Sequence, residues 1–159
     1  MKTRLALVAL LALGMGLLAP ALAQDKDIVD TAVAAGSFKT LAKLLTDADL
    51  VATMKGPGPY TVFAPTDEAF AKVPKETLDA LAKDKGKLQT VLTYHVLTSR
   101  WTSDDIKLVK STGTAQGKPV QFGTSGGALT VNGAKVVKAD IGCANGVIHV
   151  IDAVLMPPN

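Results

Sequence analysis

The stretch "GVIHVIDAVLM", residues 146–156, is apolar at nearly every position. A strand with one wet face alternates apolar and polar residues. This one does not, which predicts a strand buried on both faces, closed by Pro157-Pro158. Such a strand must be covered on both sides by the rest of the chain. The residues before it are rich in strand signals. "KPVQF" and "ALTVN" flank the loop "GTSGG" and read as a hairpin. Asn132-Gly133 is a two-residue turn signal between "ALTV" and "AKVVKAD".

Upstream of Lys110 the texture is helical. "DIVDTAVAA", residues 27–35, places Ile28, Ala32 and Ala35 on one face, and Gly36 ends the turn. Ser37 is a candidate cap for the next helix, in which Phe38, Leu41, Leu44 and Leu45 recur at helical spacing. Leu50 to Met54 adds a short turn, and "KGPGP", residues 55–59, is a rigid break. "KETLDALAKD" starts a helix after Pro74. "KLQTVLTYHVLTS" puts Leu88, Val91, Leu92 and His95 on one helical face. Ser103 is a candidate cap for a further short helix. The pattern predicts an α+β domain, helical in its first half and strand-rich in its second.

"YTVFAPTDEAF", residues 60–70, resembles the edge of an active site, because a hydroxyl and two carboxylates follow a short strand. A structural reading accounts for all three. Pro65 suits a strand end. Thr66 is a good helix N-cap, and Asp67 and Glu68 fall in the first turn, where negative charge complements the helix dipole. Adjacent carboxylates on a helix start diverge, so they make a poor acid–base pair.

Residues 1–23 read as a signal peptide. Lys2 and Arg4 precede an apolar run, and Ala21-Leu22-Ala23 gives the small-x-small pattern of a cleavage site, with Gln24 as the new N-terminus. This predicts a periplasmic or secreted protein of residues 24–159, with no membrane span once the leader is removed. Lys2 and Arg4 belong to the 17 basic residues, so the remainder balances the 14 acidic ones to within one charge. No basic cluster is dense enough for nucleic acid. Cys143 is the single cysteine, so no disulfide can form within the chain. It reads as a small buried apolar residue, with an intermolecular bridge as the alternative.

No catalytic constellation assembles. GxSxG, HExxH, CxxC and phosphate-loop patterns are absent. The two histidines, His95 and His149, lack a third ligand at sensible spacing for a metal. His149, among Val147, Ile148, Val150 and Ile151, is expected to be a hydrogen-bonded core residue. His95 reads the same way, buried and bonded to a backbone carbonyl, with partial exposure as the alternative because it lies nearer a helix end. These readings predict no enzyme activity, no cofactor and no metal.

"TVFAPTDEAF" at 61–70, "YHVL" at 94–97, "VNGAKVVKADI" at 131–141 and "NGVIHVIDAVLMPP" at 145–158 together resemble the signature segments of the fasciclin (FAS1) domain family, in its single-domain exported bacterial form. The resemblance runs from about Asp27 to Pro158. It implies the FAS1 fold, a twisted β-wedge with helices packed on it. It also implies a non-enzymatic module for cell-surface, matrix or biofilm adhesion, with a protein or glycan partner. In animal members a Tyr-His motif and an Asp-Ile pair are linked to partner binding. The matching residues are Tyr94, His95, Asp140 and Ile141. Gly142-Cys143 departs from the small polar residues often found before the last Asn-Gly. A periplasmic carrier of a small apolar or amphipathic ligand is the alternative function.

Overall fold

The computed structural model describes residues 26–158. The expected leader, residues 1–23, lies outside the described residues. Seven strands form one sheet in the order β2-β1-β7-β6-β5-β4-β3. They are β1 (Tyr60–Pro65), β2 (Val96–Leu97), β3 (Ser111–Gly113), β4 (Pro119–Ser125), β5 (Ala128–Val131), β6 (Ala134–Cys143) and β7 (Gly146–Ile151). The helices are α1 (Ile28–Ala35), α2 (Lys39–Asp47), α3 (Val51–Met54), α4 (Asp67–Ala71), α5 (Lys75–Lys83), α6 (Lys85–Tyr94) and α7 (Ser103–Lys107).

The chain's last strand is the middle of its sheet. β7 pairs parallel with β1, from Tyr60↔Gly146 to Pro65↔Ile151, and antiparallel with β6. All six of its residues are buried, as its unbroken apolar pattern requires. The strand ends at Ile151, however. Asp152 turns away to bind the backbone of Lys135, so residues 152–156 are not strand.

Side chains alternate across β1 and β7 and divide the core in two. Val62, Ala64, Ile148 and Val150 face the helices, packing with Ile28, Phe38, Leu41 and Leu88. Phe63 and Ile151 face the opposite side, with Tyr94, Leu97, Val120 and Val131. The sheet curls around this second cluster until it nearly closes. Past the end of β3, the Ala115 N–H donates to the Val96 carbonyl of β2 at 2.7 Å, joining the two ends of the sheet. Among the described residues every buried side-chain nitrogen and oxygen has a hydrogen-bond partner, and no helix is long and apolar enough to cross a membrane.

Local signals explain most element ends. Thr66 is the N-cap of α4 and accepts from the Ala69 N–H at 3.1 Å. Asn132 and Gly133 both take positive φ in the β5–β6 turn, which the Asn-Gly pair accommodates at low cost. The β4–β5 turn is only Gly126-Gly127, because Gly123 to Ser125 of the expected loop continue β4. Two expected caps are corrected. Thr102, not Ser103, caps α7, in a reciprocal capping box with Asp105. Ser37 does not cap α2. Asp67 does so from across the structure, accepting from the Thr40 N–H at 2.8 Å and the Lys39 N–H at 3.4 Å. Ala35, expected on the buried face of α1, is exposed, and Val29 is buried instead.

Candidate functional site

Tyr94 and His95 end helix α6, and both are buried, at 1% and 2% exposure. The Tyr94 hydroxyl donates to the Pro119 carbonyl at 2.9 Å and accepts from Asn132 Nδ2 at 2.6 Å. It thereby pins the end of α6 to the β4 and β5–β6 segments across the inner core. His95 is not partially exposed. The Leu155 N–H donates to its Nε2 at 2.9 Å, so the ring proton sits on Nδ1, which donates to the Val91 carbonyl at 2.7 Å. Its own carbonyl accepts from the Phe63 N–H. Burial holds the ring neutral and pushes its pKa down to about 4, against a smaller opposing effect of the bond to Val91.

His149 is fully buried on β7 and stacks on Phe63 with ring centroids 5.7 Å apart. The Asp140 N–H donates to its Nδ1 at 3.2 Å, so Nε2 carries the proton and donates to the Trp101 carbonyl at 2.7 Å. Burial lowers its pKa more than the bond to Trp101 and the nearby Asp140 charge raise it.

The second motif lies on a distorted part of β6. Between Val136 and Ile141 the register against β7 slips twice. These bulges bend the strand and lift Asp140 into a left-handed conformation, φ 58°. Asp140 is exposed and Ile141 half-buried. The carboxylate turns back and accepts from the Ser103 N–H at 2.7 Å and from its hydroxyl at 2.5 Å. Burial alone would raise its pKa, but the bonds from Ser103 and the nearby His149 and Lys107 outweigh it, so the group stays ionised below the usual carboxylate range. His149 therefore sets the Asp140 corner from beneath. Tyr94 and His95 are removed from it, two strands away on the β2 side of β1.

The motif residues that sequence reasoning passed over are Asn145 and Gly146. Asn145 is buried. Its Oδ1 accepts from the Ile28 N–H, and its Nδ2 donates to the Met54 and Gly56 carbonyls, at 3.0, 2.7 and 2.8 Å. It joins α1, the end of α3 and the start of β7. At Gly146 an added Cβ would run into the Tyr60 carbonyl. The pair "NG" therefore serves here as a junction, though the same pair at 132–133 is a turn. Cys143 is buried with its thiol toward the Ile141 carbonyl at 3.6 Å, and burial raises its pKa.

Each histidine's acceptor nitrogen is already filled by a backbone N–H. Among the described residues no three histidine, cysteine or carboxylate side chains converge as a metal site. The site is thus a curled sheet with two buried, hydrogen-bonded histidines and a bulged, exposed corner at Asp140. The chain belongs to the Fasciclin domain family, whose match spans residues 36–157. Its domains are non-catalytic and are implicated in cell adhesion and extracellular matrix contexts. The chain is 40% identical over 130 residues to the uncharacterized protein sll1735 of Synechocystis, covering 82% of this chain and 97% of that protein. It is 40% identical over 116 residues to the cell surface glycolipoprotein MPB83 of Mycobacterium bovis, covering 73% of this chain and 51% of that one. Its fold matches a FAS1 domain pair from the insect cell adhesion molecule fasciclin I with a TM-score of 0.67 at 18% identity, covering 84% of this chain and 52% of the pair.

Proposed function

We propose that this chain is an exported, non-enzymatic binding module that contacts a protein or glycan partner at the cell surface, in the matrix or in a biofilm. Residues 1–23 direct its export to the periplasm or medium, which fits its similarity to a mycobacterial cell surface glycolipoprotein. The observation that carries the reading is the Asp140–Ile141 corner, an ionised carboxylate held at the surface by Ser103 on a backbone whose N–H is fixed by His149. Within the candidate set, Asp140 and Ile141 meet the partner. Tyr94 and His95 act through the frame they hold. A carrier of a small ligand would need an enclosed apolar chamber, whereas the clefts described here are open grooves of about 160 to 400 Å³.

The test is retention of envelope and matrix components on immobilised residues 24–159, read by mass spectrometry. The wild type is expected to retain a discrete partner. Asp140→Asn keeps an acceptor for Ser103 and should weaken retention at least tenfold with the fold intact. No retained partner, or native protein that still begins at Met1, would refute the reading.

A further inference from the structure

Strands β5 and β6 leave their turn side by side and then part. The last residues paired between them are Thr130 and Lys135, although β6 runs on to Cys143. On its other side β6 stays with β7, so beyond Lys135 its outer edge faces no strand. This unpaired stretch is the same one whose register slips against β7 and lifts Asp140. A cleft of about 300 Å³ opens in the gap, walled by Gly127 to Leu129 and by Val136 to Ala139, with Ser103 and Lys107 of α7 at one end. A second groove of about 160 Å³ shares Lys107 and Leu129 with it and runs on between α7 and β4, past Lys110.

The lining has a definite chemistry. Lys107, Lys110 and Lys138 border the two grooves; Lys107 is paired with Asp104 and the Asp140 carboxylate sits on Ser103 at the groove's end, so Lys110 and Lys138 carry the charge that no described carboxylate balances. Asp104 lies 3.3 Å from Lys107 but projects into solvent at 89% side-chain exposure. Val137 and Leu108 are exposed at 55% and 85%, although both are large and apolar. A strand edge with free backbone groups recruits extended peptide. The same lysines on a second copy would repel it, which disfavours self-pairing across this edge.

We infer that the gap between β5 and β6 is a docking groove for an extended acidic peptide segment of a partner protein, which adds as a strand along Val136–Ala139 and sets its carboxylates on Lys110 and Lys138. This rests on the binding-module reading and names the chemistry of its partner. The groove adjoins the Asp140 corner through Ser103, and the Asp140 carboxylate repels acidic residues at that end, so the segment's carboxylates lie toward Lys110 and Lys138.

The test uses the protein of residues 24–159 and three probes: a fluorescein-labelled eight-residue peptide alternating glutamate with valine, the same peptide with lysine for glutamate, and a labelled polyuronate oligomer. Anisotropy should show binding of the acidic peptide alone, weakened at least tenfold between 50 and 500 mM salt. The double variant Lys110→Glu/Lys138→Glu should lose at least tenfold in affinity while its melting temperature stays near the wild type's. Amide exchange at Leu129 and Val136 to Ala139 should slow when the peptide binds, a readout that does not depend on any variant folding. Binding of the polyuronate in preference to the peptide would overturn the assignment, as would unchanged exchange at the edge, dimerisation in place of binding, or no binding at millimolar peptide. Envelope retention separates the two readings. If the double variant keeps the wild type's retained partner, the groove is wrong and the module stands. If the wild type retains nothing, the module reading fails as well.

Discussion

Replacing His95 by glutamine should remove much of the protein's sensitivity to mild acid. In the native state the ring is neutral, with a pKa of about 4 against an ordinary 6.5. The unfolded chain therefore binds a proton that the folded chain refuses between those two values. Stability is fully present above about pH 6.5 and falls as the pH drops toward 4. One proton corresponds to about 1.4 kcal/mol per pH unit, so the whole interval is worth about 3 kcal/mol from His95. The structural cause is specific. A second ring proton on Nε2 would point at the Leu155 N–H and break the strap that holds the C-terminal segment to α6. His149 adds to the slope in the same direction, because its pKa is lowered too. The shifted carboxylates, Asp27, Asp67, Asp105 and Asp140, start from 3.8 and are lowered, so their contribution is lost only in stronger acid. The measurement is urea unfolding at constant ionic strength in half-unit steps from pH 7.5 to 4.5. Wild type should lose stability as the pH falls, and His95→Gln should be shallower by about 1 kcal/mol per unit between pH 6 and 4.5. A variant as steep as the wild type would refute the argument, because it would mean that the native ring takes up the proton as readily as the unfolded one.

Four further outcomes are expected. Thr66→Ala should cost about 0.5–2 kcal/mol in denaturant melts, and Asp67→Ala at least as much, since it uncaps α2 as well as removing charge from α4. Asn145→Ala strands two buried backbone groups, at Ile28 and Met54, and a half-buried one at Gly56, and should cost about 3–5 kcal/mol, checked in the same melts. Gly146→Ala forces β1 and β7 apart and should cost at least about 3 kcal/mol or prevent folding, read by circular dichroism. Zinc or haem should leave the wild-type melting temperature unchanged, because His95 Nε2 and His149 Nδ1 already accept backbone N–H groups. A rise that His95→Ala and His149→Ala both remove would reverse that conclusion.

What the sequence made legible was mostly local. Thr66 caps the helix that follows it, Asn132-Gly133 makes the turn where it stands, and the apolar spacing of Phe38, Leu41, Leu44 and Leu45 marks the buried face of α2. Each of these depends on neighbours a few residues away. Asp67 shows the limit. Its position in the first turn of α4 was readable, but its bonds to Lys39 and Thr40 depend on how α2 and α4 are brought together. The same holds for Asn145, whose partners lie on α1 and beyond α3. His95 was left between burial and partial exposure for a related reason. A helix end is often wet, and only the returning C-terminal segment, which no periodicity announces, covers this one. The bulges in β6 left no signal at all, since Lys135 to Ala139 read as ordinary strand, yet they lift the Asp140 corner and lie along the groove beside β5.

The central place of β7 also governs how the chain can be made. Until Gly146 to Ile151 are available, the sheet exists as two pieces with no strand pairing between them, the ribbon of β1 and β2 and the meander of β3 to β6, which meet at the bond from Ala115 to Val96. Each presents a bare edge, β1 on one piece and β6 on the other. Such edges recruit other chains. Zipping them together needs contacts between residues as distant as Tyr60 and Gly146, a step that is slow compared with forming the helices. A product of synthesis that stops short of Gly146 is therefore not a slightly weakened domain. It is two adhesive fragments on one polypeptide, a target for proteases and aggregation, and only a chain carried through its last strand conceals both edges at once.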